Sequence, residues 1–432
     1  MSMERPPPIP SDDAIHGLLA HRVNRCGSSP GMVAGITDGG QHRVIACGVA
    51  DRAGQPVGGD TLFEIGSITK LFTALLLADM AHRGEVTLGT PVSELLPHGT
   101  SVPSRNGQPI TLAQLVRHTS GLPRLPANLP ASSPDPYGGY TADMLYAFLA
   151  GHALARTPGG AFEYSNLGAG LLGHALGLWS GQGFERLLHD RILDPLGMSS
   201  TALHATPALA VRSASGHDDS GDPVPAWTFD VLAGAGGLRS TASDMLLFLD
   251  ALLRPGEPPL GQAATLLLAP VDAGGLGFGL PQPEGHVAVQ HEGGTGGFRS
   301  YAGGIPAWQR GAVVLANAST GACADLGIHL CDARWSLAWH REPVAVDPAC
   351  FDRLVGRYRM TPAMLIDVTR QGERLMVQLT GQAACRVFPL SEWAVFYKVV
   401  NAQVTFLPGP DGRAARLVLH QNGRDQTAER MG

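Results

Sequence analysis

The segment FEIGSITKLFTALLLADM, residues 63–80, joins the pattern of a buried helix to a serine and a lysine three residues apart. From Thr69 to His82 the apolar residues recur at helical spacing and Gly84 follows them, so we expect a buried helix that ends near this glycine. The chain has 31 lysine and arginine residues, and only two of them are lysines. One of the two is Lys70, at the head of the longest apolar run.

The serine and the lysine of this segment form a chemically useful pair. If the helix begins at Ser67, the side chain of Lys70 lies on the same face and within reach. Serine is a weak nucleophile until a neighbour takes its proton, which a buried lysine can do and an arginine cannot. The backbone N–H groups of a helix N-terminus also suit a developing oxyanion. The pair predicts a nucleophile and its base, although a surface lysine behind a helix cap fits the same motif.

A second candidate group is Tyr164-Ser165-Asn166, in a loop before the apolar stretch LGAGLLGHAL. A tyrosine near the serine–lysine pair can pass a proton to a leaving group, and the Asn166 amide can hold a substrate carbonyl. Taken alone, the tripeptide equally fits a tyrosine packed on the core and an asparagine that caps a helix.

The third group is HEGGTGGF, residues 291–298, between two predicted strands. Gly293 and Gly294 allow a substrate to lie against the strand edge, where backbone N–H groups can point at a carbonyl oxygen. A phosphate-binding loop is a poor alternative, because no G-K-[ST] follows and the stretch leads into a strand. His291, one of sixteen histidines, is on its own typical of a structural or solvated side chain.

Apolar patterning places strands at both ends of the first domain and helices between them. Residues 33–51 are predicted as two strands joined through a D-G-G turn, and 287–318 as further strands. Helical stretches between Pro/Gly loops occupy about 85–245, and 330–340 is helix-like. We therefore predict an α+β domain over residues 1–345, with an antiparallel sheet flanked by helices and an all-helical subdomain.

A second, smaller domain is predicted for residues 346–432. Short runs of alternating residues follow the linker REPVAVDPA, and P-D-G and N-G turns stand at 410–412 and 422–423. This pattern is typical of a small antiparallel β domain.

Charge and cysteine usage argue against several classes of partner. The net charge of −6 and the lack of a basic stripe speak against nucleic acid and against anionic membranes. The apolar run 71–81 is too short to span a bilayer, and residues 1–17 contain no apolar signal region, so we expect no secretory leader. Six scattered cysteines without C-x-x-C pairs predict reduced thiols in the cytoplasm. Neither a metal site nor a cofactor loop is indicated.

Taken together and in this order, the motifs S-x-x-K, Y-x-N and H-x-G resemble those of the serine β-lactamase and penicillin-binding-protein superfamily. The most similar branch is that of the class C β-lactamase-like (AmpC-like) hydrolases, which includes family VIII esterases and D-aminopeptidases. Phrases such as TLAQLVRHTSGLP, TPGGAFEYSNLGAGLLG and AGAGGLRSTASDMLLFL extend the resemblance over roughly residues 15–340.

The resemblance implies a role for each motif residue. Ser67 corresponds to the acylated nucleophile and Lys70 to its general base. Tyr164 corresponds to the residue that passes a proton to the leaving group and helps to activate the deacylating water. Asn166 matches the contact to the substrate amide. The backbone N–H groups of Ser67 and Gly294 correspond to the oxyanion hole.

The third motif departs from the class C pattern. The resemblance makes His291 a further catalytic candidate, because it stands at the lysine of the family's K-T-G strand. Glu292 stands at the threonine and Gly293 at the glycine, so both are expected next to the substrate. In β-lactamases the lysine and threonine help to bind the antibiotic's carboxylate. A neutral histidine and an added negative charge therefore favour neutral esters, amides or thioesters as substrates over β-lactams.

Four functions remain open at this point. The first is a serine hydrolase acting on small esters or amides through an acyl-enzyme. The second is a penicillin-binding-protein-type thioesterase, cyclase or acyltransferase, which releases peptidyl thioesters from a carrier protein. The third is a β-lactamase, which the H-E-G strand disfavours. The fourth is a non-catalytic binding protein, which the intact Ser67, Lys70 and Tyr164 disfavour.

The C-terminal domain and two loops of the first domain are further candidates for shaping the site. The C-terminal domain resembles lipocalin-like modules that shape the active site in some members of the superfamily, and a purely stabilising role is an equal alternative. Loops 121–140 and 212–230 are expected to form pocket walls. Arg124 and Tyr137 lie in the first of these loops, and we interpret both as surface positions.

Overall fold

A computed structural model of the protein describes residues 7–130, 134–282, 285–338 and 340–431. Three predictions fall partly outside the described residues: the leader-free N-terminus at residues 1–6, the first pocket loop at 131–133 and the helix-like stretch at residue 339.

The α-helices are α1 Asp12–Ala20, α2 Thr69–His82, α3 Leu112–Val116, α4 Ala142–Gly151, α5 Asn166–Trp179, α6 Phe184–Leu188, α7 Asp194–Leu196, α8 Pro207–Ala210, α9 Ala242–Leu253, α10 Gly261–Leu268 and α11 Ala324–Cys331. The strands of the first domain are β1 Gly31–Asp38, β2 Gln41–Gly48, β3 Phe63–Glu64, β4 Gly216–His217, β5 Pro223–Val224, β6 Arg239–Ser240, β7 Leu280–Pro281, β8 Val287–Gly294, β9 Arg299–Ile305 and β10 Arg310–Ala316. The strands of the second domain are β11 Gly356–Thr361, β12 Met364–Gln371, β13 Arg374–Leu379, β14 Cys385–Ser391, β15 Ala394–Phe396, β16 Ala402–Pro408, β17 Ala414–Gln421 and β18 Arg424–Arg430.

The centre of the first domain is a six-stranded antiparallel sheet with the order β2-β1-β10-β9-β8-β7. Strand β1 pairs with β10, with Met32 opposite Ala316, so the two ends of the domain meet in the middle of the sheet. Helix α9 packs against β1 and β10 on one face, and α1 and α11 cover the other. The predicted α+β class is confirmed.

Helix α2 has the predicted bounds, Thr69 to His82, and follows a 3₁₀ turn at Gly66–Ile68. All residues from 69 to 80 are buried, because α2 lies between α5 and α10 and has no solvent face. The ring of Phe72 stacks on that of Phe248 in α9 with 3.8 Å between centroids. A helix with apolar residues on every face belongs inside the protein, and here it directly follows the turn that carries Ser67.

The helix predicted at 330–340 is wrong for most of its length. Helix α11 ends at Cys331, and no helix is present over the described residues 332–338. The carboxylate of Asp332 accepts hydrogen bonds from the backbone N–H and the guanidinium of Arg334. Aspartate that bonds its own downstream backbone competes with helical hydrogen bonding, which accounts for the early end.

The helices between α2 and β7 form the predicted helical region. Its predicted end at residue 245 falls inside α9, which packs on the sheet and so belongs to the sheet layer. In the described residues, no helix is long and apolar enough to cross a membrane.

The second domain is a closed antiparallel barrel of eight strands, β11 to β18. Pairing of Tyr358 in β11 with Arg430 in β18 closes it. The interior is filled by side chains that include Tyr358, Val395, Val404, Phe406 and Leu417. Arg374 on the barrel contacts Asp222 of the first domain at 2.7 Å, so the two domains touch.

Candidate active site

Ser67 lies in the 3₁₀ turn before α2, and two functional side chains meet at its hydroxyl. The Lys70 Nζ atom is 2.9 Å from the Ser67 Oγ atom, and the Tyr164 hydroxyl donates to the same oxygen at 2.8 Å. The structure therefore brings together three residues predicted from two separate motifs. Both distances are within the range needed for direct proton transfer.

Lys70 is 3 % exposed and also donates a hydrogen bond to the backbone oxygen of Ala235 at 2.5 Å. No carboxylate pairs with it in the described hydrogen bonds and ion pairs. Burial, with a smaller contribution from the Arg124 guanidinium, lowers the pKa of Lys70 to about 7. About half of the amine is therefore neutral near neutral pH, and in that form it can accept the Ser67 proton.

This pKa predicts a rising limb in the pH profile. With a neutral substrate such as p-nitrophenyl butyrate, kcat/KM should fall about tenfold for each pH unit below about 7 and level off above it, because only neutral Lys70 acts as a base. Burial lowers the pKa of His118 and of His291 to about 4, so neither imidazole titrates in this range. A flat profile between pH 5 and 8 would contradict the assignment.

Tyr164 stays protonated and is held on several sides. Burial raises the pKa of its phenol, which makes it a proton donor rather than a phenolate. The Lys70 Nζ atom and the Arg124 guanidinium carbon lie 4.9 and 5.2 Å from the ring centroid. The His118 ring lies 4.7 Å away on another side.

His118 positions the loop that carries Tyr164. The backbone N–H of Ser165 donates to the His118 Nδ1 atom at 3.2 Å, so this nitrogen is an acceptor. The Ser165 hydroxyl accepts from Gly168 N–H and caps α5. Sequence reasoning did not single out His118, although it stands in the phrase TLAQLVRHTSGLP that supports the family resemblance.

Asn166 begins α5 and points its amide at a second tyrosine. Its Nδ2 atom donates to the Tyr137 hydroxyl at 2.8 Å, whereas its buried Oδ1 atom has no partner in the described part of the chain. Tyr137 is 5 % exposed and stacks on Phe229 with 4.5 Å between ring centroids. The surface interpretation of Tyr137 is therefore wrong, while Arg124 is exposed as expected.

Strand β8 runs beside the nucleophile turn at van der Waals contact. Gly66 has φ +49°, and a Cβ atom there would lie 2.6 Å from the backbone nitrogen of Gly294. A Cβ atom on Gly293 would lie 2.0 Å from the Ile65 carbonyl oxygen. Only glycines allow this approach, which places the Gly294 backbone next to Ser67.

His291 and Glu292 lie on opposite faces of β8, as alternation requires. The His291 ring is 6.4 Å from that of Tyr164, and its Nδ1 atom contacts the Glu292 carbonyl oxygen at 2.6 Å, which requires the proton on Nδ1. The Glu292 side chain is exposed on the other face, where burial, Cys331 and this carboxylate raise the pKa of Tyr301. A substrate contact from Glu292 is not supported by this placement.

A cavity of about 900 Å³ adjoins the site, and Tyr164 and His291 form one end of it. Most of the remaining wall is apolar, with contributions from Leu88, Val116, Phe162, Leu276 and Phe278. Its walls come from the segments around α3 and residues 271–280 rather than from the predicted loops at 121–140 and 212–230. No group of three or more His, Cys, Asp or Glu side chains suited to a metal ion occurs among the described residues.

The chain is similar to two protein families and to several known proteins. The family described as Beta-lactamase matches residues 18–328, and the Domain of unknown function (DUF3471) matches residues 340–430. The chain is 32 % identical over 317 residues to the D-alanyl-D-alanine-carboxypeptidase/endopeptidase AmpH of Escherichia coli K12, covering 67 % of this chain and 80 % of that protein. It is 28 % identical over 346 residues to a beta-lactamase of the same organism, covering 71 % and 88 %.

Solved structures of class C beta-lactamases superpose on most of the chain. A class C beta-lactamase from Rhodobacter sphaeroides superposes with a TM-score of 0.57 at 29 % identity, covering 71 % of this chain and 94 % of that one. Another class C beta-lactamase superposes with a TM-score of 0.63 at 24 % identity, covering 76 % and 97 %, a likeness of fold alone.

Proposed function

Because the chain belongs to the Beta-lactamase family, we propose that it is a serine hydrolase that cleaves small esters or amides through an acyl-enzyme on Ser67. The observation that carries this proposal is the convergence of the Lys70 amine and the Tyr164 phenol on the Ser67 hydroxyl, at 2.9 and 2.8 Å. A buried lysine with a pKa of about 7 is partly unprotonated at neutral pH, as a general base must be.

Acylation uses these groups in sequence. Neutral Lys70 takes the Ser67 proton while the Oγ atom bonds to the substrate carbonyl carbon. The resulting oxyanion is stabilised by the backbone N–H groups of Ser67 and Gly294. Tyr164 then gives its phenolic proton to the leaving alcohol or amine as that bond breaks, and the proton held by Lys70 restores the phenol.

Deacylation repeats the scheme with water. A water molecule that gives its proton to the Tyr164–Lys70 pair attacks the acyl carbonyl, and the Ser67 oxygen leaves and regains a proton. Neither His291 nor His118 replaces the lysine as base, because burial lowers both pKa values to about 4 and both rings make weak bases. Their neutral rings instead pack near the phenol, whose charged neighbours are Lys70 and Arg124.

The surroundings favour an apolar, neutral substrate. The adjoining cavity of about 900 Å³ accommodates a sizeable apolar group, and a neutral His291 offers no cation for a substrate carboxylate. Asn166 corresponds to the family's contact to a substrate amide, which supports amides as well as esters. Its side chain would have to turn from Tyr137 to expose the buried Oδ1 atom to a substrate N–H group. Likeness to a D-alanyl-D-alanine carboxypeptidase/endopeptidase makes a short D-alanyl peptide the second candidate substrate. Because His291 is neutral, the carboxylate of such a peptide would have to be bound by the Arg124 guanidinium, 5.2 Å from the Tyr164 ring centroid.

Intact-mass measurement of the wild type and of Ser67→Ala tests the proposal. Each protein is exposed briefly to p-nitrophenyl butyrate, a cephalosporin, a D-alanyl-D-alanine peptide and a peptidyl thioester, with Ser104→Ala as an exposed control. We expect an acyl adduct on the wild type and on Ser104→Ala only, and the donor that also turns over identifies the substrate class. No adduct from any donor, or equal labelling of Ser67→Ala, would overturn the proposal.

A further inference from the structure

A second cavity, of about 410 Å³, lies where the barrel meets the first domain. The first domain contributes residues that follow α1, the start of β9 and the segments before and after α11. The barrel contributes residues 396–401, at the end of β15 and before β16. The lining residues used below are Arg299, His340, Arg341, Lys398 and Asn401.

The wall of this cavity is strongly cationic. Arg299, Arg341 and Lys398 all contribute to it, and the described residues that line it include no Asp or Glu. The two carboxylates next to this wall, Asp325 and Glu342, already form ion pairs with other residues. Asp325 binds Arg22 at 2.8 Å and His340 at 3.2 Å, and Glu342 binds Arg25 at 3.0 Å and His21 at 3.1 Å.

The barrel supplies Lys398, the second of the chain's two lysines. Its Nζ atom donates to the Gly27 carbonyl oxygen at 2.6 Å and lies 4.0 Å from the Phe388 ring centroid. Arg341 donates to the Asn401 side-chain oxygen at 2.8 Å, which fixes the same barrel segment. Burial, and then the nearby Arg386, lower the pKa of Lys398 to about 8, since a charge here is costly without a counter-ion.

Cations grouped in a recess are partly dehydrated and repel one another, and both effects raise the free energy of the empty pocket. A bound anion offsets both effects because it attracts the cations and accepts their hydrogen bonds. Planar guanidinium groups and an ammonium are the donors that carboxylates and phosphates prefer. We propose that this interdomain pocket binds the carboxylate or phosphate group of a small molecule. The barrel then has a binding role, because the pocket is complete only when the segment 396–401 is docked.

The pocket touches the catalytic strand through one residue. Arg299 pairs with Gly294, and a Cβ atom on Gly294 would lie 2.2 Å from the Arg299 guanidinium. The anion therefore has two possible sources with the same chemistry: the far end of the substrate or a separate ligand. The inference does not depend on the Ser67 mechanism, since it rests on the cavity and its charges.

Calorimetric titration with inorganic phosphate and with succinate tests the site. We expect saturable binding of one of them to the wild type, weakened at least about tenfold in Lys398→Met and in Arg341→Gln. Lys398→Arg, which keeps the charge, should bind more tightly than Lys398→Met, and Arg416→Gln on the exposed barrel surface should match the wild type. Thermal melts without ligand check that the variants fold. No saturable binding to the wild type, or equal affinity in a folded Lys398→Met, would overturn the proposal.

Kinetics with a matched ester pair distinguish the two sources. If the anion belongs to the substrate, the wild type should show a lower KM for mono-p-nitrophenyl succinate than for p-nitrophenyl butyrate, and Lys398→Met should lose that difference. If phosphate or succinate binds but the ratio of KM values is the same in both proteins, the pocket serves a separate anionic ligand.

Discussion

Replacing Lys70 with arginine should lower kcat/KM for p-nitrophenyl butyrate by about 10³-fold at pH 8. Arginine keeps the positive charge but stays protonated, so it cannot take the Ser67 proton. The position is buried and its amine contacts both the Ser67 hydroxyl and the Ala235 carbonyl oxygen, so no bulk water replaces the lost base. The rate of acyl-adduct formation in a single turnover measures this step directly.

A second substitution separates charge and size from basicity. Lys70→Met removes the charge and is closer to lysine in volume than arginine is. Like arginine, methionine cannot accept the Ser67 proton. The kcat/KM values of the two variants should therefore both be low and should differ by less than about tenfold. The rise of kcat/KM with pH near 7 should also disappear from their residual activity. If folded Lys70→Arg keeps more than a tenth of wild-type activity, the assignment of Lys70 as base is wrong.

Replacing Gly293 with alanine should destabilise the protein by about 3 kcal/mol and lower kcat by at least about 10²-fold. The new Cβ atom would lie 2.0 Å from the Ile65 carbonyl oxygen and 2.2 Å from the Ser300 hydroxyl oxygen. The first of these atoms is backbone, so either β8 or the turn that carries Ser67 must move. Such a shift separates the Gly294 N–H group from the Ser67 N–H group and weakens the oxyanion site.

A matched glycine provides the control for this prediction. Gly17 in α1 has open space around its Cα atom, so Gly17→Ala should leave activity unchanged and stability equal or slightly higher. Urea unfolding gives the free energies, and the acylation rate with p-nitrophenyl butyrate gives the activities. A Gly293→Ala protein that matches Gly17→Ala in both measurements would show that strand β8 does not need this contact.

Local sequence patterns predicted the structural features that depend on contacts between residues close together in the chain. The spacing of apolar residues from 69 to 82 predicted α2 with its correct ends, because a mostly apolar helical run next to a glycine stop leaves few alternatives. The D-G-G turn predicted the β1–β2 hairpin, in which Gly39 and Gly40 adopt φ +59° and +83°. The i, i+3 spacing of Ser67 and Lys70 predicted their contact for the same local reason.

Contacts between distant segments could not be predicted in this way. The Asn166–Tyr137 bond joins positions 29 residues apart, and the apolar stacking that buries Tyr137 involves Phe229 from another loop. A proline-rich segment such as 121–140 has no periodicity that indicates which side chains turn inward. The support of Ser165 by His118 spans 47 residues and was hidden for the same reason.

The sequence by itself predicted Ser67 and Lys70 as the nucleophile and its base and determined the α+β class and the presence of a second β domain, because each follows from local spacing or from motifs in a fixed order. Tertiary structure alone decided that Tyr164 reaches Ser67, that Glu292 faces away from it and that the barrel places Lys398 against Gly27. The physical reason is that burial, and with it the pKa near 7 of Lys70, depends on what distant segments pack around a group.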